Sequence, residues 1–171
     1  MKRIFNIIWY GVIGLFIFVF ANVMYAKMNN QVPNVFGYSV MQIISYSMEP
    51  EIKKDEYILV KKVDISDIEE HDIITFYSTD PTIYGRINTH RVVRRNETND
   101  GFVTKGDNNL IEDKYDVLDE NVIGRYVTTL GVLTVVLNFF QTNSMLVLIL
   151  LVQIFCIGIL ISKTILKKKN N

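Results

Sequence analysis

The chain has 171 residues, a formal net charge of zero and 49% hydrophobic residues. The length suits one domain with membrane segments but not two sizeable domains, and zero net charge removes any whole-chain argument for nucleic-acid binding. One cysteine, Cys156, excludes an intrachain disulfide, and no Cys/His cluster has metal-ligand spacing, so neither metal nor cofactor is expected.

Met1-Lys2-Arg3 opens the chain, and residues 4–26 are then apolar except for Asn6 and Asn22. A bilayer span needs roughly 20 apolar residues, whereas a secretory signal peptide has a core of about 7–15. Trp9, Tyr10 and Tyr25 lie toward the ends of the run, as interface aromatics do. The reading is a retained anchor over 4–26, the alternative being a cleaved signal peptide.

Residues 28–143 read as one mainly β domain. Strand candidates are Val35–Ile44, Asp55–Val63, Asp72–Tyr77, Asn88–Arg95 and Gly101–Thr104, with one or two more in Val117–Leu133. They are rich in β-branched and aromatic residues and are separated by turn signals. Asp100-Gly101 closes a hairpin connection after Asn96. Ser66–Glu70 could make one helical turn, with Ser66 as its cap. Leu130–Phe140 reads as a last strand running into an interfacial stretch.

A second apolar run, 144–162, is interrupted by Gln153 and followed by Lys163, Lys167, Lys168 and Lys169 in a basic tail, 163–171. Basic residues flanking a span favour the cytoplasmic side. Lys2-Arg3 and the lysine tail thus agree on two spans, with both ends inside and the β domain outside the cytoplasm. Lys27 weakly opposes this.

The chemistry centres on Ser45-Tyr46-Ser47-Met48-Glu49-Pro50. Two serines two residues apart at a strand end point the same way, and Pro50 stops regular structure beyond them. Alone, this is a strand-end turn with two satisfied hydroxyls. Elsewhere stand His90, in Thr89-His90-Arg91-Val92-Val93, and the loop Lys105-Gly106-Asp107-Asn108-Asn109 with Asp113 beyond it. A serine hydroxyl needs a base to take its proton, histidine is the usual one, and a carboxylate orients the imidazole. His71, after Glu69-Glu70, reads as a solvated turn residue. Asp107, Glu112 and Asp113 all compete for the carboxylate role, and spacing does not choose between them.

Ser-x-Ser-Met-x-Pro, His-Arg-Val and Lys-Gly-Asp-Asn-Asn followed by Asp together resemble the type I signal peptidases. The closer match is the endoplasmic-reticulum-type branch, which also occurs in archaea and some Gram-positive bacteria. The resemblance covers about residues 36–130 plus the amino-terminal anchor. It implies a small β-rich catalytic domain, here flanked by two transmembrane helices, that cleaves signal peptides from exported preproteins at the membrane surface. It implies Ser47 as nucleophile, His90 where the other bacterial branch has lysine, and Asp113 as orienting acid. Ser45 is implied as an oxyanion helper and Asp107 as a structural support. Tyr46 stands where many bacterial members have Gly. The implied partners are signal peptides of secretory preproteins, with small side chains at −1 and −3 of the cut, and membrane lipid. Two other readings stay open: a dedicated processor of one or a few secreted proteins, and a non-catalytic β-domain binding module.

Overall fold

The structure is a computed structural model that describes residues 2–29, 31–96, 98, 100–142, 148–149 and 152–153. The second apolar run and the basic tail lie, apart from those last four residues, outside the described residues. The chain divides into two compact units at Leu130/Gly131.

The first unit begins with helix α1, Lys2–Met28. Its stretch Tyr10–Met28 is long and apolar enough to cross a membrane by length and composition, and only 6% of that stretch is buried within the protein. Such a helix, apolar all round and covered by so little protein, suits a lipid environment. Asn29 ends it by donating from its side chain to the Tyr25 carbonyl at 2.8 Å. This satisfies one of the carbonyls that every helix end leaves unpaired.

Seven antiparallel strands follow: β1 Tyr38–Gln42, β2 Tyr57–Lys61, β3 Ile73–Tyr77, β4 Ile87–Asn96, β5 Gly101–Lys105, β6 Val117–Leu118 and β7 Val122–Thr129. They form one sheet in the order β1-β2-β7-β3-β4-β5-β6. The chain therefore builds two groups of strands, and β7 returns from the far edge to join them. The fold is mainly β, as the composition of the strand candidates implies.

Burial on both faces explains the sheet's sequence pattern. Ile43, Met48, Ile52, Ile58, Val60 and Ile73 form one cluster. Ile68, Ile74, Phe76, Val92, Phe102 and Val117 form another. Ile73 and Ile74 are adjacent in β3 yet belong to different clusters, because successive strand residues point to opposite faces. A strand buried on both sides reads as a continuous apolar run rather than an alternating one. Thr75 and Thr89 face each other across β3 and β4 with their hydroxyls at 2.9 Å, so these two buried polar groups satisfy each other.

Four details differ from the sequence expectation. β1 begins at Tyr38, not Val35, because Val35 and Tyr38 bracket a tight turn with Phe36 and Gly37 at φ 52° and 84°. It also ends at Gln42, so Ser45 and Ser47 lie in a turn beyond the strand. The helical turn near residue 66 is a 3-10 turn, Ile65–Asp67, preceded by Asp64 and without a side-chain cap; Ser66 is inside it. The larger correction is Leu130–Phe140. Strand pairing ends where Leu130 N–H donates to the Tyr57 carbonyl, and helix α2, Gly131–Thr142, begins at the next residue. The apolar run reads as a continuing strand, but β propensity is a weak preference that context overrides.

β7 crosses β2 closely at Gly124. A Cβ there would lie 2.4 Å from the Lys61 carbonyl oxygen, a backbone atom that cannot swing aside. Gly124→Ala is expected to overpack this crossing by roughly 1–3 kcal/mol. Thermal unfolding of the detergent-solubilised protein should show Tm lowered by roughly 5–20 °C for a domain of this size.

Candidate active site

The Ser47 turn is held from beneath. Ile43 N–H donates to the Glu56 carbonyl and Asp55 N–H to the Ile43 carbonyl, closing residues 43–56 into a loop. Met48 and Ile52 are fully buried in the core, and Ile52 N–H bonds the Met48 carbonyl at 2.9 Å. With Met48 pinned inward, its neighbour Ser47 sits at the surface, partly exposed. The Ser45 and Ser47 hydroxyl oxygens are 3.0 Å apart and share a hydrogen bond.

His90 comes from the middle of β4, opposite Ile74 of β3, and is 5% exposed. Phe76 meets its ring edge-on at a centroid distance of 6.3 Å. Its Nδ1 lies 2.5 Å from Asp113 Oδ2. Asp113 belongs to the irregular segment after β5, and its N–H donates to the Thr104 carbonyl at 2.8 Å. The Thr104 hydroxyl donates to the same Oδ2 at 2.7 Å.

The other two carboxylates of this segment are engaged elsewhere. Asp107 takes two hydrogen bonds from Arg91, at 2.8 Å from Nε and 2.6 Å from Nη2. This contact raises the Arg91 guanidinium further above its already high pKa. Glu112 accepts from Arg94 Nη1 at 2.7 Å, and that bond holds its carboxyl below the usual range. Successive strand residues of β4 thus select different acids: His90 meets Asp113 and Arg91 meets Asp107.

The loop that carries Asp107 also grips the serine turn. Asn108 N–H donates to the Ser47 carbonyl at 2.8 Å, and the Asn108 side-chain amide reaches the Tyr46 carbonyl at 3.2 Å. Gly106 lies so close that a Cβ on it would be 2.7 Å from the Ser47 carbonyl oxygen. The structure therefore pairs Ser45 with Ser47, and His90 with Asp113, and ties the serine turn to the 106–109 loop. Among the described residues no hydrogen bond joins the Ser47 hydroxyl to His90. His71 is exposed, in a left-handed conformation at φ 72°, with its carbonyl bonded by Arg91.

Sequence reasoning missed Thr104, and it gave Arg91 and Asn108 no specific contacts. Thr104 carried a readable signal. Alternation along β5 puts it on the same face as the buried Phe102, an apolar face where a hydroxyl needs a partner. No group of His, Cys, Asp and Glu able to hold a metal ion occurs among the described residues.

The N-terminal apolar helix and the mainly β domain are those that the type I signal peptidase resemblance implies. The sequence comparison agrees. The chain is 37% identical over 129 residues, 74% of its length, to Signal peptidase I W of Bacillus subtilis (strain 168). It spans 66% of that relative's own length. It belongs to the type I signal peptidase family. No protein-family model matches the chain.

The Arg91–Asp107 pair is bidentate, and the two side chains are 30% and 16% exposed. Such geometry belongs at the upper end of the 0–1 kcal/mol that exposed ion pairs typically contribute. Asp107→Asn is expected to lower stability by about 1 kcal/mol, seen in thermal unfolding as a fall in Tm of roughly 4–8 °C.

Proposed function

We propose that the chain is a membrane-bound serine endopeptidase of the Ser-His-Asp branch that removes signal peptides from exported preproteins. In this reading Ser47 is the nucleophile, His90 the base and Asp113 the acid that orients it. The observation that carries it is the 2.5 Å contact between His90 Nδ1 and Asp113 Oδ2.

A carboxylate at Nδ1 holds that nitrogen as the N–H donor, which leaves Nε2 with a free lone pair to accept a proton. The Ser47 hydroxyl turns from Ser45 to this nitrogen as substrate enters. Catalytic hydrogen bonds are commonly long or misaligned in a substrate-free site and tighten in the Michaelis complex. His90 takes the proton as Ser47 Oγ attacks the scissile carbonyl, and the imidazolium is stabilised by Asp113. The Ser47 backbone N–H and the Ser45 hydroxyl meet the developing oxyanion. His90 then gives its proton to the leaving amine. An acyl-enzyme on Ser47 remains, and water attacks it by the same base.

The substrate runs extended along β1, which is an edge strand and so has backbone groups free for an added strand. A cavity of about 610 Å³ lies there, lined by Val40, Met41, Ile44 and Ser45 on one side and Ile87 and Thr89 on the other. Its apolar walls suit the small side chains at −1 and −3 of the cut that the family resemblance implies. α1 keeps enzyme and substrate in one membrane plane, which raises their effective concentration without new contacts. The basic residues at the two chain ends support an extracytoplasmic catalytic domain, with the 144–162 run as a second span.

Cleavage of a preprotein by the purified full-length protein in detergent tests this reading. Ser47→Ala should leave the protein folded and abolish cleavage; turnover at the wild-type rate by that variant contradicts the assignment. Asp113→Asn should keep its fold and lose as much as ~10⁴ in kcat, the scale seen when an orienting acid is removed.

The base must be neutral to accept a proton, so activity should fall as the pH drops and the imidazole becomes charged. His90→Ala that keeps most of its activity at neutral pH contradicts the role of His90.

A further inference from the structure

We infer that Thr104 is a positioning residue for the imidazole–carboxylate pair, holding Asp113 against His90 from a rigid strand. The inference rests on the proposed roles of His90 and Asp113 and adds a fourth member to them.

Asp113 lies in a segment, residues 106–116, with no helix or strand of its own. Three residues before it Leu110 is 96% exposed, and Ile111 is 79% exposed. An acid on such a segment has no intrinsic reason to keep one orientation. Thr104 supplies two attachments. Its carbonyl accepts the Asp113 N–H at 2.8 Å, which fixes the backbone of the acid. Its hydroxyl donates to Asp113 Oδ2 at 2.7 Å, which fixes the side chain.

Thr104 itself is rigid. It is fully buried, and it pairs with Val92 of β4, the strand that carries His90. Its β-branched side chain has few rotamers to choose from. One carboxylate oxygen thus receives a hydrogen bond from the imidazole and another from a strand that is hydrogen-bonded to the imidazole's own strand.

Other charged groups near the pair have different partners or lie farther along the cavity. Asp80, Lys114 and Tyr115 line the small cavity of about 150 Å³ that His90 and Asp113 also border. Thr82 holds the Asp80 carboxyl below its ordinary pKa through its backbone N–H and hydroxyl. Lys114 lies over the Tyr115 ring, its Nζ 5.4 Å from the centroid. Arg91 is on Asp107, and Arg94 on Glu112. Asn88 Nδ2 is 3.5 Å from His90 Nδ1, at the limit of a hydrogen bond. Among the described residues, Thr104 is the only side chain besides His90 bonded to the Asp113 carboxylate.

The experiment compares Thr104→Val and Thr104→Ser in the full-length protein, with kcat and KM for preprotein cleavage measured separately and Tm measured alongside. Thr104→Val keeps the shape and loses the donor. It should lower kcat by about 10–100-fold with KM unchanged, the cost of one hydrogen bond to a charged group. Thr104→Ser retains the donor and should restore the rate. If Thr104→Val does not yield folded protein, Thr104→Cys, with a weak thiol donor, should show the same losses in milder form.

A Thr104→Val enzyme with wild-type kcat overturns the inference, and so does a loss confined to Tm or one that Thr104→Ser fails to restore. Asp113→Asn separates this from the reading beneath it. If that variant is inactive while Thr104→Val is normal, only the role of Thr104 fails. Normal turnover by Asp113→Asn removes the triad itself.

Discussion

The site depends on one close backbone approach, that of Gly106 to the Ser47 carbonyl. There is no room for a side chain between them, since a Cβ would sit 2.7 Å from that oxygen. The approach lets Asn108 N–H bond the same carbonyl and so fastens the serine turn to the segment leaving β5. The turn has its own hold on the core through Met48 and Ile52. Ser47 is therefore fixed from two sides, by buried apolar side chains beneath it and by a glycine loop beside it. Precision of this kind is what the proposed role of Ser47 as nucleophile requires, because misplacement by about 1 Å can cost ~10² in rate.

Strand alternation then sorts the acids. His90 and Arg91 are consecutive in β4 and point to opposite faces of the sheet. One meets Asp113 and the other Asp107, so two carboxylates six residues apart acquire unrelated tasks. Asp107 accepts a bidentate pair from Arg91, a strong and directional arrangement that suits a brace. Asp113 meets an imidazole, the side chain most often used as a general base. The division arises from the sheet, not from any difference in the acids themselves.

Much of the sheet was legible because its strands are short, β-branched and bounded by turn residues. Asp100-Gly101 marked the β4–β5 hairpin, and Asn96 does pair with Gly101. The errors have physical causes. Val35 and Phe36 look like strand residues, but the chain needs a left-handed turn there, and only Gly37 hinted at it. The run after Leu130 is interrupted at Thr134 and Asn138, a four-residue spacing that suits a helix rather than a strand, and α2 took the run. At the site, the residue types were readable from motifs that lie close in sequence. Which carboxylate faces His90 was not, because it depends on the pairing of β4 with β5 and on the path of an irregular segment. Thr104 was overlooked for the same reason: its partner lies across that path.

The central claim is that Ser47 and His90 act on one another. Ser47→Cys, made with Cys156 replaced by Ser, turns that claim into a rate of alkylation by iodoacetamide. An isolated cysteine has a pKa of about 8.5, whereas one beside a basic imidazole ionises well below that. The account predicts that the thiol introduced by Ser47→Cys reacts rapidly at neutral and mildly acid pH. It predicts that this reactivity is lost when His90→Ala is added. A thiol at that position that titrates like an ordinary cysteine and is indifferent to His90 would contradict it.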